Sequence, residues 1–309
     1  MKSWTINYQL LIALSMGALL TLGYAPFSMW YVVFISLPTI LYLLHHSTQQ
    51  HSVKLGFAFG LGWFGAGISW VHVSIADFGG LPIAFSLLLM FLLCMYLAIY
   101  PAVAMWLCYK LPLWLKLSNK EDNRPNLWLL PSCWLIAEYL RAVVMTGFPW
   151  LSLGYTQIDS PLNILAPIIG EIGLSFIMVL VSLALVKLYQ KKNTVFAVAT
   201  VVFIGLSVVI SSFQTWVTPN QKTIKTALVQ GNIAQELKWL PEKEWPTLQR
   251  YLALTQAQKD IDLFVWPESA IPALEPNVQP YLSLVDNTLQ QQNAALVTGI
   301  INYNFEAKS

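Results

Sequence analysis

The sequence predicts a multi-pass α-helical membrane bundle followed by an α/β domain that is incomplete. Three observations lead there. The chain of 309 residues is 56% hydrophobic and only 10% charged, with 13 tryptophans. Soluble domains carry about 25% charged residues, so most of this chain must avoid water by sitting in lipid. Its apolar residues fall into long runs, each near the ~20 residues that cross a hydrocarbon core. Beyond Trp216 the pattern changes to short alternating runs separated by amphipathic ones.

The apolar runs number about seven. They lie at about Tyr8 to Gly23, Met29 to Leu44, Leu55 to Ile75, within Leu81 to Leu107, within Leu127 to Val144, Ile164 to Val186 and Thr194 to Ser212. The first resembles a signal peptide, but Tyr24-Ala25-Pro26-Phe27 leads straight into the second, which favours a membrane hairpin. Cations mark alternate connections: Lys2, then Lys54 beside three histidines, then Lys110, Lys116, Lys120 and Arg124, then Lys187, Lys191 and Lys192. The intervening connections hold only Asp77 and Asp159 as charges. By the positive-inside rule the N-terminus is cytoplasmic, and an odd number of spans puts residues after Ser212 outside.

The division is expected at 1–216 and 217–309. In the second part, Thr223 to Gly231 alternates as a strand does, and Glu242 to Lys259 has helical spacing. A second strand, Asp262 to Trp266, ends at Pro267; Val278 to Gln291 reads as a helix and Ala294 to Tyr303 as a third strand. Strand-helix-strand-helix-strand describes an α/β unit. Few residues remain for its core and its sheet edges stay open, so the domain is expected to be cut short.

Net charge of +2 offers no basic arm for nucleic acid. Cys94, Cys108 and Cys133 lie in apolar runs and fit neither a zinc nor a disulfide pattern, which makes them small buried hydrophobes. His45, His46 and His51 have no carboxylate cluster beside them, so neither a metal nor a cofactor is expected. Gly60-Leu61-Gly62-Trp63-Phe64-Gly65 fits a dinucleotide motif by spelling alone. It lies inside a span, where Gly56, Gly60 and Gly67 serve close helix packing instead.

Some polar residues stand out. Glu138 and Arg141, three apart near the outer end of the fifth span, share a helix face. They form either a structural ion pair or a polar anchor for lipid headgroups or the outer domain. Glu171 follows Pro167 and Gly170, a sequence suited to a broken or re-entrant start of the sixth span. Phe148, Trp150 and Tyr155, with Trp70, Phe78 and Trp216, suit an interfacial aromatic belt, and equally a lipid-handling site. Glu268 ends the run Phe264-Val265-Trp266-Pro267-Glu268. A carboxylate at the C-terminal end of a buried strand is where α/β folds place active sites, and Trp266 and Pro267 would limit its hydration and suit it to act as a general base.

Taken in chain order, several stretches resemble the bacterial apolipoprotein N-acyltransferases. They are Gly23 to Phe27, Gly56 to Trp70, Val73 to Gly80, Thr146 to Ser160 (TGFPWLSLGYTQIDS), Leu228 to Asn232 and Val265 to Pro272 (VWPESAIP). The resemblance implies a bundle in the bacterial inner membrane carrying an outward, periplasmic nitrilase-like (carbon-nitrogen hydrolase, αββα sandwich) domain. It implies transfer of an acyl chain from a phospholipid to the α-amino group of the diacylglyceryl-cysteine of an apolipoprotein. The family's triad is a glutamate base, a lysine that stabilises the tetrahedral intermediate and a cysteine that forms a thioester. Of these, only Glu268 matches a position here, and Trp239 looks like the family's aromatic residue near the lipid site. Glu138, Arg141 and Trp150 are further candidates for lipid contact. The triad's lysine and cysteine are expected beyond Ser309, in a continuation or a separate C-terminal half, and Lys308 stands in no recognisable motif. The chain alone is therefore expected to be inactive. Two other readings fit fewer residues: a membrane remnant that binds lipid or lipoprotein without catalysis, and a nitrilase-type amidase.

Overall fold

A computed structural model describes residues 2–116, 124–215, 217–220 and 222–302, without the side chains of 2–6. Lys120, Trp216, Tyr303 and Lys308, named above, lie outside the described residues. The chain divides into two compact units, Met1–Trp216 and Val217–Ser309.

The first unit is helical: α1 (Lys2–Leu20), α2 (Val33–His45), α3 (Gln49–Gly67), α4 (Val71–Asp77), α5 (Ile83–Trp114), α6 (Leu130–Val143), α7 (Ala166–Tyr189) and α8 (Thr194–Ser212). Among the described residues, 4 helical segments are long and apolar enough to cross a membrane, or up to 5 if α3 and α4 are one span bent by 54°. Two shorter apolar segments, Asn7–Gly23 and Trp30–His45, coincide closely with the first two runs read from the sequence. The fourth run proves longer than expected. α5 continues through Pro101 and Pro112 to Trp114, because each proline's lost hydrogen bond is tolerated where neighbouring helices enclose it.

α3 sits between α1 and α5, and its glycines make that possible. A Cβ on Gly62 would lie 1.9 Å from the Leu14 carbonyl oxygen, and one on Gly56 would lie 2.6 Å from Ala102 Cα. Backbones thus touch on both sides of α3 without side chains between them. Around this contact Trp63 stacks on Phe64 at 4.9 Å and on Trp134 at 5.9 Å. Between α6 and α7 the chain runs through short 3₁₀ turns over Val144–Thr146, Leu153–Gln157 and Pro161–Leu165.

The second unit holds β1 (Thr226–Leu228), α9 (Pro241–Gln256), β2 (Leu263–Val265), β3 (Ile271–Leu274), α10 (Gln279–Gln292), β4 (Ala295–Val297) and β5 (Ile300–Ile301). One sheet has order β1-β2-β4, all parallel, with Phe264 opposite Ala227 and Leu296. Strands buried beneath crossover helices read as short apolar runs, and Phe264 in the centre is fully buried. Leu248 and Tyr251 of α9 and Tyr281, Val285 and Leu289 of α10 complete this core. Burial pushes the Tyr281 phenol up, with Tyr251 adding to the effect, so it remains a neutral donor to the Leu248 carbonyl at 2.8 Å.

One expectation needs correction here. The single strand read over Ala294 to Tyr303 is two strands in different sheets, parted at Thr298-Gly299. Gly299 is the cause: a Cβ there would meet Glu268 Cα at 3.3 Å, so the backbone passes close and turns away. β3, paired in parallel with β5, escaped notice because Pro272 argues against a central strand. In a two-stranded sheet every strand is an edge, and a missing N–H is tolerated there.

Candidate functional site

The second unit presents Glu268 just past the end of β2. The ladder extends beyond the strands themselves, with Val229 N–H donating to the Val265 carbonyl and Trp266 N–H to that of Val297, each at 2.9 Å. This carries the central strand rigidly to Trp266, whose indole Nε1 donates to Thr255 Oγ1 at 3.1 Å and whose ring lies 5.2 Å from Tyr251. Trp266 is therefore locked inward and Pro267 turns the chain outward. Ser269 then adopts φ 56°, and Ala270 N–H closes a turn on the Pro267 carbonyl at 3.1 Å. Glu268 itself is exposed. It stands at the C-terminal end of the central parallel strand, the crevice position of open α/β sheets.

Two residues that the sequence reading did not single out touch this turn. Lys238 Nζ donates to the Glu268 main-chain carbonyl at 3.4 Å, and Gly299 lies under the Glu268 Cα. Lys238 precedes Trp239, whose ring is exposed, so the segment that carries Trp239 is tied to the Glu268 turn. Among the described residues no group of three or more His, Cys, Asp and Glu side chains could hold a metal ion. Cys94, Cys108 and Cys133 are buried and free, and all belong to the first unit.

The first unit holds a buried polar cluster where α6, α7 and the connection between them meet. Arg141 and Glu138, only 3% and 9% exposed, pair at 3.8 Å. Glu138 Oε1 also accepts the Leu153 N–H at 2.8 Å, and Arg141 Nη1 donates to the Trp150 carbonyl. The guanidinium lies 5.4 Å from the Phe64 ring and 5.8 Å from that of Trp63, a cation–π arrangement on two stacked faces. On the far side, Gly170 breaks the start of α7 with φ 65°, and Glu171 accepts from the Ser152 hydroxyl. Ser175 Oγ accepts the Gly154 N–H at 2.9 Å. A Cβ on Gly154 would lie 2.1 Å from the Glu171 carbonyl oxygen, which leaves room for glycine only.

These stretches match known proteins. A family model described as the apolipoprotein N-acyltransferase N-terminal domain matches residues 16–184, more than half of the chain. The chain belongs to that family. An apolipoprotein N-acyltransferase of Vibrio parahaemolyticus is 42% identical over 294 residues, which cover 94% of this chain and 57% of that protein. Those of Vibrio vulnificus and Photobacterium profundum are 43% and 41% identical, covering 93% and 97% of this chain and 55% and 57% of theirs. The chain thus spans little more than half the length of these apolipoprotein N-acyltransferases.

The candidates fall into two sets. Glu138, Arg141 and Trp150 are brought together in the first unit, with the Trp150 ring exposed and its carbonyl held. Glu268 and Trp239 share the second unit. Ser152, Ser175 and Gly154 were absent from the sequence reading as site residues. For Ser175, a small polar residue within an apolar run is the signal that could have pointed to it.

Proposed function

We propose that this chain takes part in lipoprotein N-acylation, moving an acyl chain from a phospholipid to the α-amino group of a diacylglyceryl-cysteine at an apolipoprotein N-terminus. The observation that carries the reading is the exposed Glu268, at the end of the central strand of a parallel sheet, in a chain of this family. In this reading the first unit crosses the bacterial inner membrane about seven times, its N-terminus cytoplasmic. The second unit is the N-terminal part of a nitrilase-like domain facing the periplasm.

The chemistry runs in two halves. Glu268 removes the proton of a cysteine thiol, and the thiolate attacks the ester carbonyl of the phospholipid. A lysine ammonium stabilises the oxyanion, since fixed charge at a developing negative centre lowers the barrier. Collapse expels the lysophospholipid alkoxide, which takes up the proton from Glu268, and leaves a thioester. The α-amine then attacks the thioester, gives its proton to Glu268 and expels the thiolate. The chain's cysteines are buried in the helical unit, so none of them is assigned as the nucleophile in this reading.

Two measurements test this. The 309-residue chain in phospholipid bilayers is expected to form no thioester, and an acylated cysteine in it would overturn the assignment of the nucleophile. In a form that spans the full length of the relatives, Glu268→Gln is expected to cut acyl transfer by about 10²–10⁴-fold with membrane insertion intact. Normal turnover in that variant removes Glu268 from the mechanism.

A further inference from the structure

α7 joins two ends of the first unit that differ in charge. Glu171 near its start belongs to the cluster around Glu138, and Lys187 near its end lies about 24 Å further along at 1.5 Å per residue. At that far end the chain reverses tightly. Lys191 takes φ 51°, and the N–H groups of Lys191 and Lys192 donate to the Leu188 and Lys187 carbonyls at 3.0 and 2.9 Å. These paired bonds form a Schellman motif, in which glycine is the usual left-handed residue. Here a lysine takes that position, and the reversal folds Lys192 back beside Lys187, close enough for one charge to act on the other. Lys187 Nζ lies 5.8 Å over the Trp128 ring, and among the described residues neither Lys187 nor Lys192 has a carboxylate partner.

The end of α2 meets this end of α7. The Tyr42 ring lies 5.8 Å from that of Tyr189 and 4.9 Å from that of His46, and the His45 and His46 rings are 5.0 Å apart. The charged groups that act on the His45 ring are His46 and the cations Lys187, Lys192 and Arg124. His45 Nδ1 and the side-chain amide of Gln190 are buried without a hydrogen-bond partner among the described residues. A buried polar group left unpaired is costly. Beside this cluster lies a groove of about 430 Å³, lined by Phe34, Pro38 and Tyr42 of α2 and Leu185, Val186 and Tyr189 of α7. It leads from apolar side chains to two tyrosines, and from these to the cations.

The positive-inside rule accounts for cations on one side of a membrane, and any helix C-terminus favours them. Neither requires the basic groups of two helices to converge on the mouth of one apolar groove. We propose that this groove binds one anionic phospholipid, with its phosphate between His45, Lys187 and Lys192 and an acyl chain along α2 and α7. Basic pockets between membrane helices on the cytoplasmic side hold such headgroups, and the topology proposed above places this end there. The phosphate supplies the acceptor that His45 Nδ1 lacks, and its charge offsets the repulsion between the two lysines. The inference goes beyond acyl transfer at Glu268, because it concerns a lipid that binds without reacting.

The test titrates the 309-residue chain in detergent micelles with phosphatidylglycerol or phosphatidylethanolamine and counts bound lipid by native mass spectrometry. One phosphatidylglycerol is expected to bind about tenfold more tightly than phosphatidylethanolamine. Lys187→Gln combined with Lys192→Gln is expected to remove that preference, and Lys187→Arg combined with Lys192→Arg to keep it. Lys54→Gln, on another cation-bearing connection, is expected to leave it unchanged. Equal affinity for the two lipids in the wild type, or an equal loss with Lys54→Gln, would overturn the proposal, since charge would then act without a site. Inorganic phosphate is expected not to displace the lipid; displacement would point to a free-anion site that ignores the groove, and overturns the proposal too. A phosphatidylglycerol with a diazirine in its acyl chain is expected to label within 34–42 and 185–189, and labelling only elsewhere rejects the groove.

Discussion

The two units treat a carboxylate in opposite ways. In the helical unit Glu138 is buried beside a guanidinium and its Oε1 is taken up by a backbone N–H. In the α/β unit Glu268 is exposed, and what is held is its backbone, by the turn at Pro267, the Lys238 contact and the close pass of Gly299. A buried carboxylate in apolar surroundings must be paired, and Glu138 meets this through Oε1 alone, its buried Oε2 having no hydrogen-bond partner among the described residues. An exposed one on a fixed backbone keeps its oxygens open to solvent. The difference separates a carboxylate bonded within the protein from one that faces solvent.

Three substitutions sharpen or break that contrast. Arg141→Met leaves Glu138 buried without its cation, and loss of one partner of such a pair costs about 3–5 kcal/mol. Thermal unfolding in detergent micelles should show the largest drop for this variant, and an unchanged midpoint would mean that the pair carries no structural weight. Trp266→Phe removes the indole donor to Thr255 and shrinks the core beneath Glu268. Its cost is expected near ~1–2 kcal/mol, read as faster hydrogen exchange in β1, β2 and β4. Slower exchange confined to the helical unit would contradict that placement. Lys238→Met removes a long contact at an exposed carbonyl, and a change below about 0.5 kcal/mol is expected. A larger loss would show that the Glu268 turn depends on that lysine for its stability.

Much of the helical unit was legible because lipid imposes a simple rule. Backbone groups must be satisfied within the segment, so spans appear as unbroken apolar runs. The run Thr194 to Ser212 coincides with α8 residue for residue. The break at Gly170 was legible for the same reason, since glycine there relieves what a helix would otherwise impose. Where cations stop marking the connection, between α6 and α7, the sequence showed only aromatics and one acid. The contacts made there are to backbone groups, and no side-chain pattern records which carbonyl a distant tyrosine such as Tyr24 will find. β3 was missed for a related reason: a strand of four residues is too short for alternation to register.

By itself the sequence determined that this protein sits in a membrane, that an α/β unit follows, and that Glu268 ends a buried strand. Those properties depend on hydrophobic runs and local turns, which neighbouring residues decide. Only the tertiary structure decided that β2 is the central strand, that Glu138 and Arg141 bond to the main chain of Trp150 and Leu153, and that Tyr24 joins them. Such contacts link residues that the chain keeps far apart, and which of them meet depends on how whole helices and strands pack.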